Sequence, residues 1–498
     1  MTGWPDAPVI HEIDTWPFLT GLSERLGRPV TLADVPGEVW DATVAPGADA
    51  VWLMGVWERS PAGVAVANAD EGLQRAFHAA LPGLTPSDVV GSPYCIRRYV
   101  VDPFLGGPDG LAAAREALRQ RGWRLILDHV PNHVAPDHPA VLADPSWFIQ
   151  GSAADLARAP GDWFAAGDRV IARGRDPYFP PWPDVAQLNA FDPGLRSATA
   201  DTLAGIAAQC DGIRCDMAML MTNEIFARTW GAHAGPPPAE EFWPLVIGRL
   251  RDTCPGVVLI AEAYWDTEWT LQQQGFDFCY DKRLYDRLAH ENADAVRKHL
   301  TAGRDYQDRL VRFIENHDEQ RAAVAFPDGR DRAAAVAVAT LPGATMWHDG
   351  QFEGFRRHLP VFLGRRPAEP VDAELRAFYR RLLAEAGGIR RGDWTLLESR
   401  DGDVDAVVAW AWHDTRPRHV TAVNLSGRRA QARVVLPWES LAGSPWRLAD
   451  LLSGHVYERS GDEMRGDGLY VDLPPWGFHL FAVTPAPPAA PGQAPAAG

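Results

Sequence analysis

Short apolar runs recur along the first 350 residues, and helical patterns lie between most of them. Helices are predicted at 110–121, 195–209 and 240–252, and strands at 9–13, 50–54, 124–127, 212–215, 257–261, 276–280, 310–314 and 344–347. Strands separated by helices favour a parallel sheet, because parallel pairing needs a crossover connection. Eight such strands indicate an α/β fold with a closed (β/α)8 TIM barrel rather than an open sheet.

The stretch between the third and fourth predicted strands departs from this alternation. Residues 134–190 are rich in Pro, Gly, Asp and Trp and include an aromatic and proline run at 178–183. A long irregular insertion after a barrel strand is usually functional. We therefore expect residues 1–133 and 191–391 to form a catalytic barrel, with residues 134–190 as an inserted subdomain at its carboxyl-terminal mouth.

The pattern changes again after residue 392. Short β-like runs at 405–412, 419–424, 432–436 and 469–473 are separated by Gly, Asp and Pro turns. This is typical of an antiparallel sandwich, which we predict for residues 392–484. The Pro/Ala/Gly-rich residues 485–498 are predicted to be a disordered tail.

Charge and composition narrow the classes of function. The 498 residues carry a formal net charge of −17, which disfavours binding to nucleic acid because phosphate contacts need clustered Lys and Arg. The sequence lacks a secretory signal and a membrane span. Its five cysteines form no CxxC pair, so neither a disulfide framework nor a zinc site is indicated. We expect a cytoplasmic protein with no nucleic-acid or membrane partner.

Three acidic residues stand at or near the ends of predicted strands. Asp216 follows the strand at 212–215, Glu262 follows the strand at 257–261, and Asp318 comes shortly after the strand at 310–314. The carboxyl ends of barrel strands converge on one mouth, so the three side chains are expected to meet there. Such an acid often caps the next helix instead. That simpler interpretation suits any one of them but not all three together.

A pair of carboxyl groups about 5–5.5 Å apart is what retaining hydrolysis of a glycosidic bond requires, with one as nucleophile and the other as general acid. Arg214 lies two residues before Asp216 and faces the same side of a strand. Its guanidinium is expected to lower the pKa of Asp216 and keep that carboxyl ionised. The general acid must hold its proton near neutral pH, so Glu262 is expected to have a raised pKa.

Four segments, in this order, resemble signature segments of the α-amylase superfamily, glycoside hydrolase family 13. They are 128–133 (DHVPNH), 212–216 (GIRCD), 259–262 (LIAE) and 315–318 (ENHD). Each segment is weakly specific, but the ordered set is strong. The resemblance covers roughly residues 8 to 480 and implies a retaining enzyme that acts by double displacement on α-glucans, maltooligosaccharides or short α-glucosides, by hydrolysis or by glucosyl or maltosyl transfer.

The resemblance also implies roles for single residues. Asp216 is the nucleophile, Glu262 the acid/base and Asp318 the transition-state stabiliser. The sugar-binding residues that it implies are Tyr94, His133, Arg214 and His317. Tyr94 offers a stacking ring, and His133 and His317 bind hydroxyl groups. Asn132 resembles a calcium ligand of many members, but calcium takes six to eight oxygens and no others can be named. No cofactor is expected to be required, and a metal site is left open.

One departure from the family pattern and several alternatives remain open. Met219 and Leu220 stand where many starch-acting members carry a Lys-His pair, which argues against typical endo-amylase action. A trehalose- or sucrose-type isomerase or phosphorylase and a non-catalytic sugar-binding barrel are alternatives. An unrelated barrel enzyme that uses a Schiff base is disfavoured, because Lys282 and Lys298 are the only lysines.

Overall fold

The eight apolar runs form eight parallel strands in a computed structural model that describes residues 3–413 and 417–487. These strands are β1 (Val9–Asp14), β2 (Ala50–Met54), β3 (Arg124–His129), β4 (Gly212–Cys215), β5 (Val258–Ala261), β6 (Phe278–Tyr280), β7 (Leu310–Arg312) and β8 (Ala344–His348). They close into a barrel in which each strand pairs with its neighbours in chain order and β8 pairs with β1. The predicted (β/α)8 barrel is confirmed.

The barrel strands are buried throughout because both of their faces are covered. Every residue of β1 to β8 is buried. Gly212 begins β4 where space is short, since a Cβ there would lie 3.2 Å from side-chain atoms of both Ile126 and Trp4. Polar side chains are concentrated near the carboxyl ends of the strands, so the same burial that stabilises the barrel also collects its polar groups at one mouth.

Helices lie between the barrel strands in the chain, as the crossover rule requires. Their bounds are Thr15–Leu26, Gly37–Thr43, Pro61–Ala69, Glu71–Ala80, Gly107–Gln120, Ala140–Ala143, Ala153–Arg158, Pro193–Ala207, Asn223–Trp230, Phe242–Thr253, Glu268–Gln273, Lys282–His290, Ala293–His299, Arg304–Gln307, Ala322–Ala325 and Arg330–Thr340. Two further helices, Ala373–Ala386 and Gly461–Glu463, follow β8. Among the described residues no helix is both long enough and apolar enough to cross a bilayer.

The stretch between β3 and β4 contains short strands rather than a bare loop. Trp163–Ala166 and Arg169–Ala172 form a hairpin to which Gln150–Gly151 adds a third strand. Ala186–Gln187 pairs with His133–Val134 at the end of the segment after β3. A small apolar cluster, including Phe148, Ile171 and Leu188, stabilises this region. The pairing of Ala186–Gln187 with His133–Val134 fixes His133 beside the barrel mouth.

Between residue 393 and the end of the described residues, nine strands form two antiparallel sheets. They are β9 (Asp393–Leu397), β10 (Ser399–Gly402), β11 (Val407–His413), β12 (Arg418–Asn424), β13 (Ala430–Val434), β14 (Pro445–Asp450), β15 (Val456–Ser460), β16 (Leu469–Leu473) and β17 (Phe478–Pro485). The larger sheet has the order β9-β11-β12-β17-β14-β15, and the smaller has the order β10-β13-β16. Alternate residues of both sheets share one apolar core, in agreement with the predicted sandwich.

The chain separates into two compact units. One consists of Met1–Arg283, Asp308–Arg321 and Gly343–Asp372 and contains all eight barrel strands. The other consists of Leu284–Gln307, Ala322–Pro342 and Ala373–Gly498. The predicted domain boundaries, at 133, 190 and 391, stay predictions. Of the predicted tail, residues 488–498 lie outside the described residues.

Candidate active site

The barrel brings the three predicted acids to one cavity. Asp216 follows β4, Glu262 follows β5, and Asp318 lies six residues beyond the end of β7. All three line a cavity of about 340 Å³, close to the lower limit of about 300 Å³ for small-molecule sites. The other lining residues are Ser92, Tyr94, His133, Trp182, Asp184, Val185, Met217, Tyr264 and Phe362. The cavity therefore combines acids with aromatic surfaces.

Arg214 contacts both Asp216 and Glu262, the two acids that the sequence predicts to act as nucleophile and general acid. Its Nη1 donates to Asp216 Oδ1 at 2.8 Å, and its Nη2 lies 2.8 Å from Glu262 Oε2. Asp128 adds a third carboxylate, with Oδ1 3.5 Å from Nη1. Because two nitrogens of one guanidinium reach both acids, the two carboxyl groups are close neighbours, as a retaining pair must be.

Arg214 itself is held rigidly, with a side-chain exposure of only 1%. Its Nε donates to the Tyr280 hydroxyl at 3.3 Å, and its guanidinium lies 5.2 Å and 5.3 Å from the ring centroids of Trp52 and Tyr94. Trp52 Nε1 in turn donates to Asp128 Oδ2 at 3.0 Å. A buried cation needs such compensation by carboxylates and ring faces, so Arg214 fixes the geometry around it.

The pKa of Asp216 differs from the sequence expectation. Burial raises the pKa of the Asp216 carboxyl above its ordinary value, although the hydrogen bond and charge of Arg214 oppose this. The predicted lowering of the pKa by Arg214 is therefore wrong in its net direction. Sequence reasoning counted the nearby guanidinium but not the loss of water around the carboxyl, which is the larger effect here.

Glu262 has the raised pKa expected of a general acid. Burial is the main cause, with Arg214 opposing it and the charges of Asp216 and Asp318 adding to it, and the pKa of Glu262 rises to about 7. Its Oε2 accepts from the backbone N–H of Met217 at 2.6 Å, and its Oε1 accepts from the Tyr264 hydroxyl at 2.7 Å. Both oxygens are therefore fixed in direction.

The residue after the predicted nucleophile has an unusual backbone. Met217 has φ 41° and ψ 46°, in the left-handed region that non-glycine residues rarely adopt. This conformation directs its N–H to Glu262 Oε2. Strained backbone of this kind clusters at functional sites, where the surrounding contacts compensate for its cost.

His317 does not line the cavity itself but contacts Asp318 and Tyr94, which do. The Nε2 atom of His317 lies 2.7 Å from the Tyr94 hydroxyl and 3.0 Å from Asp318 Oδ2. Burial raises the pKa of Asp318, but the charge and hydrogen bond of His317 outweigh it and lower that pKa to about 2. Asp318 is therefore ionised across the ordinary pH range, whereas Glu262 holds its proton up to about pH 7.

His133 and Asn132 lie together beneath the inserted strands. Burial lowers the pKa of His133 to about 3, so its ring is neutral. The side-chain and main-chain oxygens of Asn132 accept from Gln187 Nε2 at 2.9 Å and 3.0 Å. Both oxygens of Asn132 are therefore hydrogen-bonded within the protein.

Known proteins resemble this chain in sequence and in fold. An α-amylase, MalA, from Haloarcula japonica is 27% identical over 368 residues, which are 70% of this chain and 48% of that protein. An intracellular maltogenic amylase from Bacillus subtilis is 21% identical over 312 residues, which are 60% of this chain and 49% of the relative. A noncanonic maltogenic α-amylase, AmyB, from Thermotoga neapolitana superposes with a TM-score of 0.67 and 16% identity, over 96% of this chain and 99% of that one. No family model matches.

In sequence and in fold, the chain is similar to members of the α-amylase superfamily. The resemblance drawn from the four ordered segments is thereby confirmed. The chain spans about half the length of these curated relatives, and the structural likeness shows the α-amylase superfamily fold alone.

One departure from the pattern of the α-amylase superfamily, the replacement of a Lys-His pair by Met219 and Leu220, has a structural explanation. Met219 and Leu220 belong to a short 3-10 helix, Ala218–Met221, in which every side chain is buried. They pack into the protein and do not line the cavity. The contacts that a Lys-His pair makes in other members of the superfamily therefore have no counterpart from this segment.

Several residues around the cavity escaped sequence reasoning. Tyr264 is one; it stands two residues after Glu262, and its hydroxyl donates to Oε1 of that residue at 2.7 Å. Trp182 belongs to the aromatic and proline run at 178–183, and its ring lies 5.2 Å from that of His133. Asp184 and Phe362 line the cavity without any local motif. These residues come from loops whose course the sequence pattern does not define.

Proposed function

We propose that this chain is a retaining glycoside hydrolase or glucosyl-transferring enzyme that acts on α-glucosidic bonds of maltooligosaccharides or short α-glucosides. The observation that supports this most strongly is the pairing of Asp216 and Glu262 on one buried guanidinium. The pKa of Glu262 rises to about 7, and although burial also raises the pKa of Asp216, the hydrogen bond from Arg214 favours the ionised form of that carboxyl. That combination suits a nucleophile and a general acid.

In the proposed first step, Asp216 Oδ attacks the anomeric carbon as the bond from that carbon to the leaving oxygen breaks. Glu262 transfers its proton to the leaving oxygen, so the leaving group departs as a neutral alcohol. A covalent β-glucosyl ester on Asp216 results. In the second step Glu262 takes a proton from water or from an acceptor hydroxyl, whose oxygen displaces Asp216 and restores the α configuration.

The remaining residues of the cavity suit binding of the sugar ring that is transferred. Tyr94 offers a flat ring for the apolar face of a pyranose. His133 and Asp318 offer a donor and an acceptor for its hydroxyl groups, and His317 contacts Asp318 and Tyr94. The small cavity favours short substrates over the interior of long glucan chains. Whether water or a second sugar is the acceptor depends on which is bound when the ester is attacked.

The other functional classes have less support. A non-catalytic sugar-binding barrel does not need three acids that converge on one cavity. A Schiff-base enzyme needs a lysine at the mouth, but neither lysine lines the cavity. Lys282 instead pairs with Glu319 at 3.1 Å, and Lys298 is 75% exposed. The cytoplasmic location stays a prediction.

The stereochemistry of the first product tests the mechanism. We expect hydrolysis of an α-glucoside to release the α anomer first, because two successive inversions restore the starting configuration. Proton NMR of the anomeric signals during the first turnovers measures this, before mutarotation equilibrates them. Initial release of the β anomer would contradict the double displacement.

The pH dependence of kcat/KM tests the role of Glu262. We expect kcat/KM to fall as pH rises through about 7, because the proton that the leaving group requires is lost there. The fall should approach tenfold per pH unit well above that value. The measurement is the pH profile of kcat/KM with an α-glucoside whose leaving group is a poor one. A profile that is flat from pH 6 to pH 9 is incompatible with Glu262 as the acid.

A further inference from the structure

Glu12, at the fourth position of β1, is a buried acid to which sequence reasoning gave no role. It is 0% exposed, and its Oε1 accepts a short hydrogen bond from Nδ1 of His317, a residue 305 positions away in the chain. Among the described residues its other oxygen, Oε2, has no hydrogen-bond partner. The one hydrogen bond found for its carboxylate is therefore made to His317.

His317 connects Glu12 to two residues that line the cavity. Its Nδ1 faces Glu12, while its Nε2 faces Tyr94 and Asp318, which both line the cavity. The imidazole is also held by its faces and edges, since the Tyr94 ring stacks at 5.4 Å and Trp52 meets it edge-on at 5.5 Å. Only rotation of the whole ring could exchange its two nitrogens, and the contacts on both sides oppose that rotation.

We propose that Glu12 is a positioning residue that holds the proton of His317 on Nδ1 and aims its Nε2–H at Asp318 and Tyr94. The importance of this alignment for turnover rests on the proposed function, in which Asp318 and Tyr94 bind the sugar ring. A buried carboxylate that fixes the direction of a histidine ring acts as the carboxylate partners of metal-ligating histidines do. Glu12 supplies both an acceptor and a negative charge.

The charges around His317 favour this arrangement. Burial lowers the pKa of His317, but Asp318 and Glu12 outweigh it and raise that pKa well above its usual value. The ring is thus a cation between two carboxylates, with charge-assisted hydrogen bonds on both nitrogens. The other titratable groups near this pair are Asp14, Tyr94, Asp128, Arg214, Tyr280, His348 and His358.

The first test reads the hydrogen bond without substrate. Proton NMR of the full chain with 15N-labelled histidine should show a strongly downfield ring N–H signal that His317→Gln removes. Glu12→Gln should remove that signal or move it far upfield, because the charged acceptor is lost. Glu315→Gln is the matched control, since Glu315 is an equally buried acid of the same barrel that pairs with Arg321 and His348. It should leave the signal in place.

The second test is kinetic. Glu12→Gln should lower kcat/KM for an aryl α-glucoside roughly 10- to 100-fold, the usual cost of losing a partner that orients a functional histidine. Above the fall near pH 7 that Glu262 sets, its activity should fall more steeply than that of the wild type, because His317 gives up its proton more readily without Glu12. A merely structural role would lower stability without moving the pH profile.

Three outcomes overturn the proposal. They are a wild type without the downfield signal, a Glu12→Gln variant that keeps it, and a folded Glu12→Gln variant with an unchanged kcat/KM and pH profile. If Glu12→Gln does not fold, the proposal is still tested by three observations. They are whether the wild type shows the downfield signal, whether His317→Gln removes it and whether Glu315→Gln keeps it. A wild type that turns over no α-glucoside would instead overturn the proposed function, while the NMR result would still judge Glu12.

Discussion

Asp216→Asn is expected to lower turnover of an aryl α-glucoside by at least roughly 10⁴-fold, the scale on which loss of a catalytic nucleophile acts. The amide keeps the size of the carboxyl but cannot form the glucosyl ester. The change also removes a negative charge near Glu262, which helps to raise the pKa of that residue. The pKa of Glu262 should therefore fall in the variant, and any residual activity should be lost at lower pH. Steady-state kinetics and a pH profile measure both effects.

The control for this variant is the same exchange at an exposed position. Asp168 is 91% exposed at the side chain, in the turn between two strands of the inserted region. Asp168→Asn should leave turnover unchanged. Thermal unfolding should show that Asp216→Asn is folded. Turnover within tenfold of the wild type would remove Asp216 from the role of nucleophile.

Glu262→Gln is expected to reduce turnover of maltooligosaccharides by roughly 10²- to 10⁴-fold, the usual range for general acid–base catalysis. The reason is that a sugar alkoxide is a poor leaving group and needs the proton that Glu262 supplies. A nitrophenyl α-glucoside releases a stable anion, so its glucosylation step should be slowed much less. A pre-steady-state burst of nitrophenolate, followed by slow turnover, should then report that the ester forms but is not hydrolysed.

Glu268→Gln is a matched control for Glu262→Gln, because Glu268 is also a buried acid with a raised pKa. Glu268 lies six residues further along, is 3% exposed, and burial raises its pKa to about 7, as it does for Glu262. It does not line the cavity. Glu268→Gln should therefore keep both the turnover and the alkaline fall near pH 7. If Glu268→Gln abolished that fall and Glu262→Gln preserved it, the general acid would be misassigned.

The fold could be predicted because its main signal is local. Each barrel strand is a short apolar run between helical patterns, and eight of them imply closure. The strand ends also placed Asp216 and Glu262 correctly, since both acids follow β4 and β5 directly. Their meeting in one cavity agrees with the expectation that strand ends share a mouth.

The electrostatics could not be predicted in the same way. Arg214 was correctly linked to Asp216, but its 2.8 Å contact with Glu262 depends on the register between β4 and β5. The net direction of the pKa of Asp216 depends on how completely water is excluded. Neither quantity is encoded in the spacing of residues along one strand.

Contacts between distant strands had no sequence signal at all. Glu12 and His317 come from β1 and from the segment after β7, and Tyr94 and His317 are 223 residues apart. Their neighbourhood exists only because the barrel closes β8 onto β1 and brings the first and last strands side by side.

The sequence by itself determined the eight strands, the sandwich that follows and the order of four acid-bearing segments, because periodicity and short motifs are properties of neighbouring residues. Tertiary structure alone decided which carboxyl holds a proton, how Arg214 is shared and which acid aligns His317. Those properties follow from desolvation and from charges a few ångströms apart in space, and both arise only when the barrel closes.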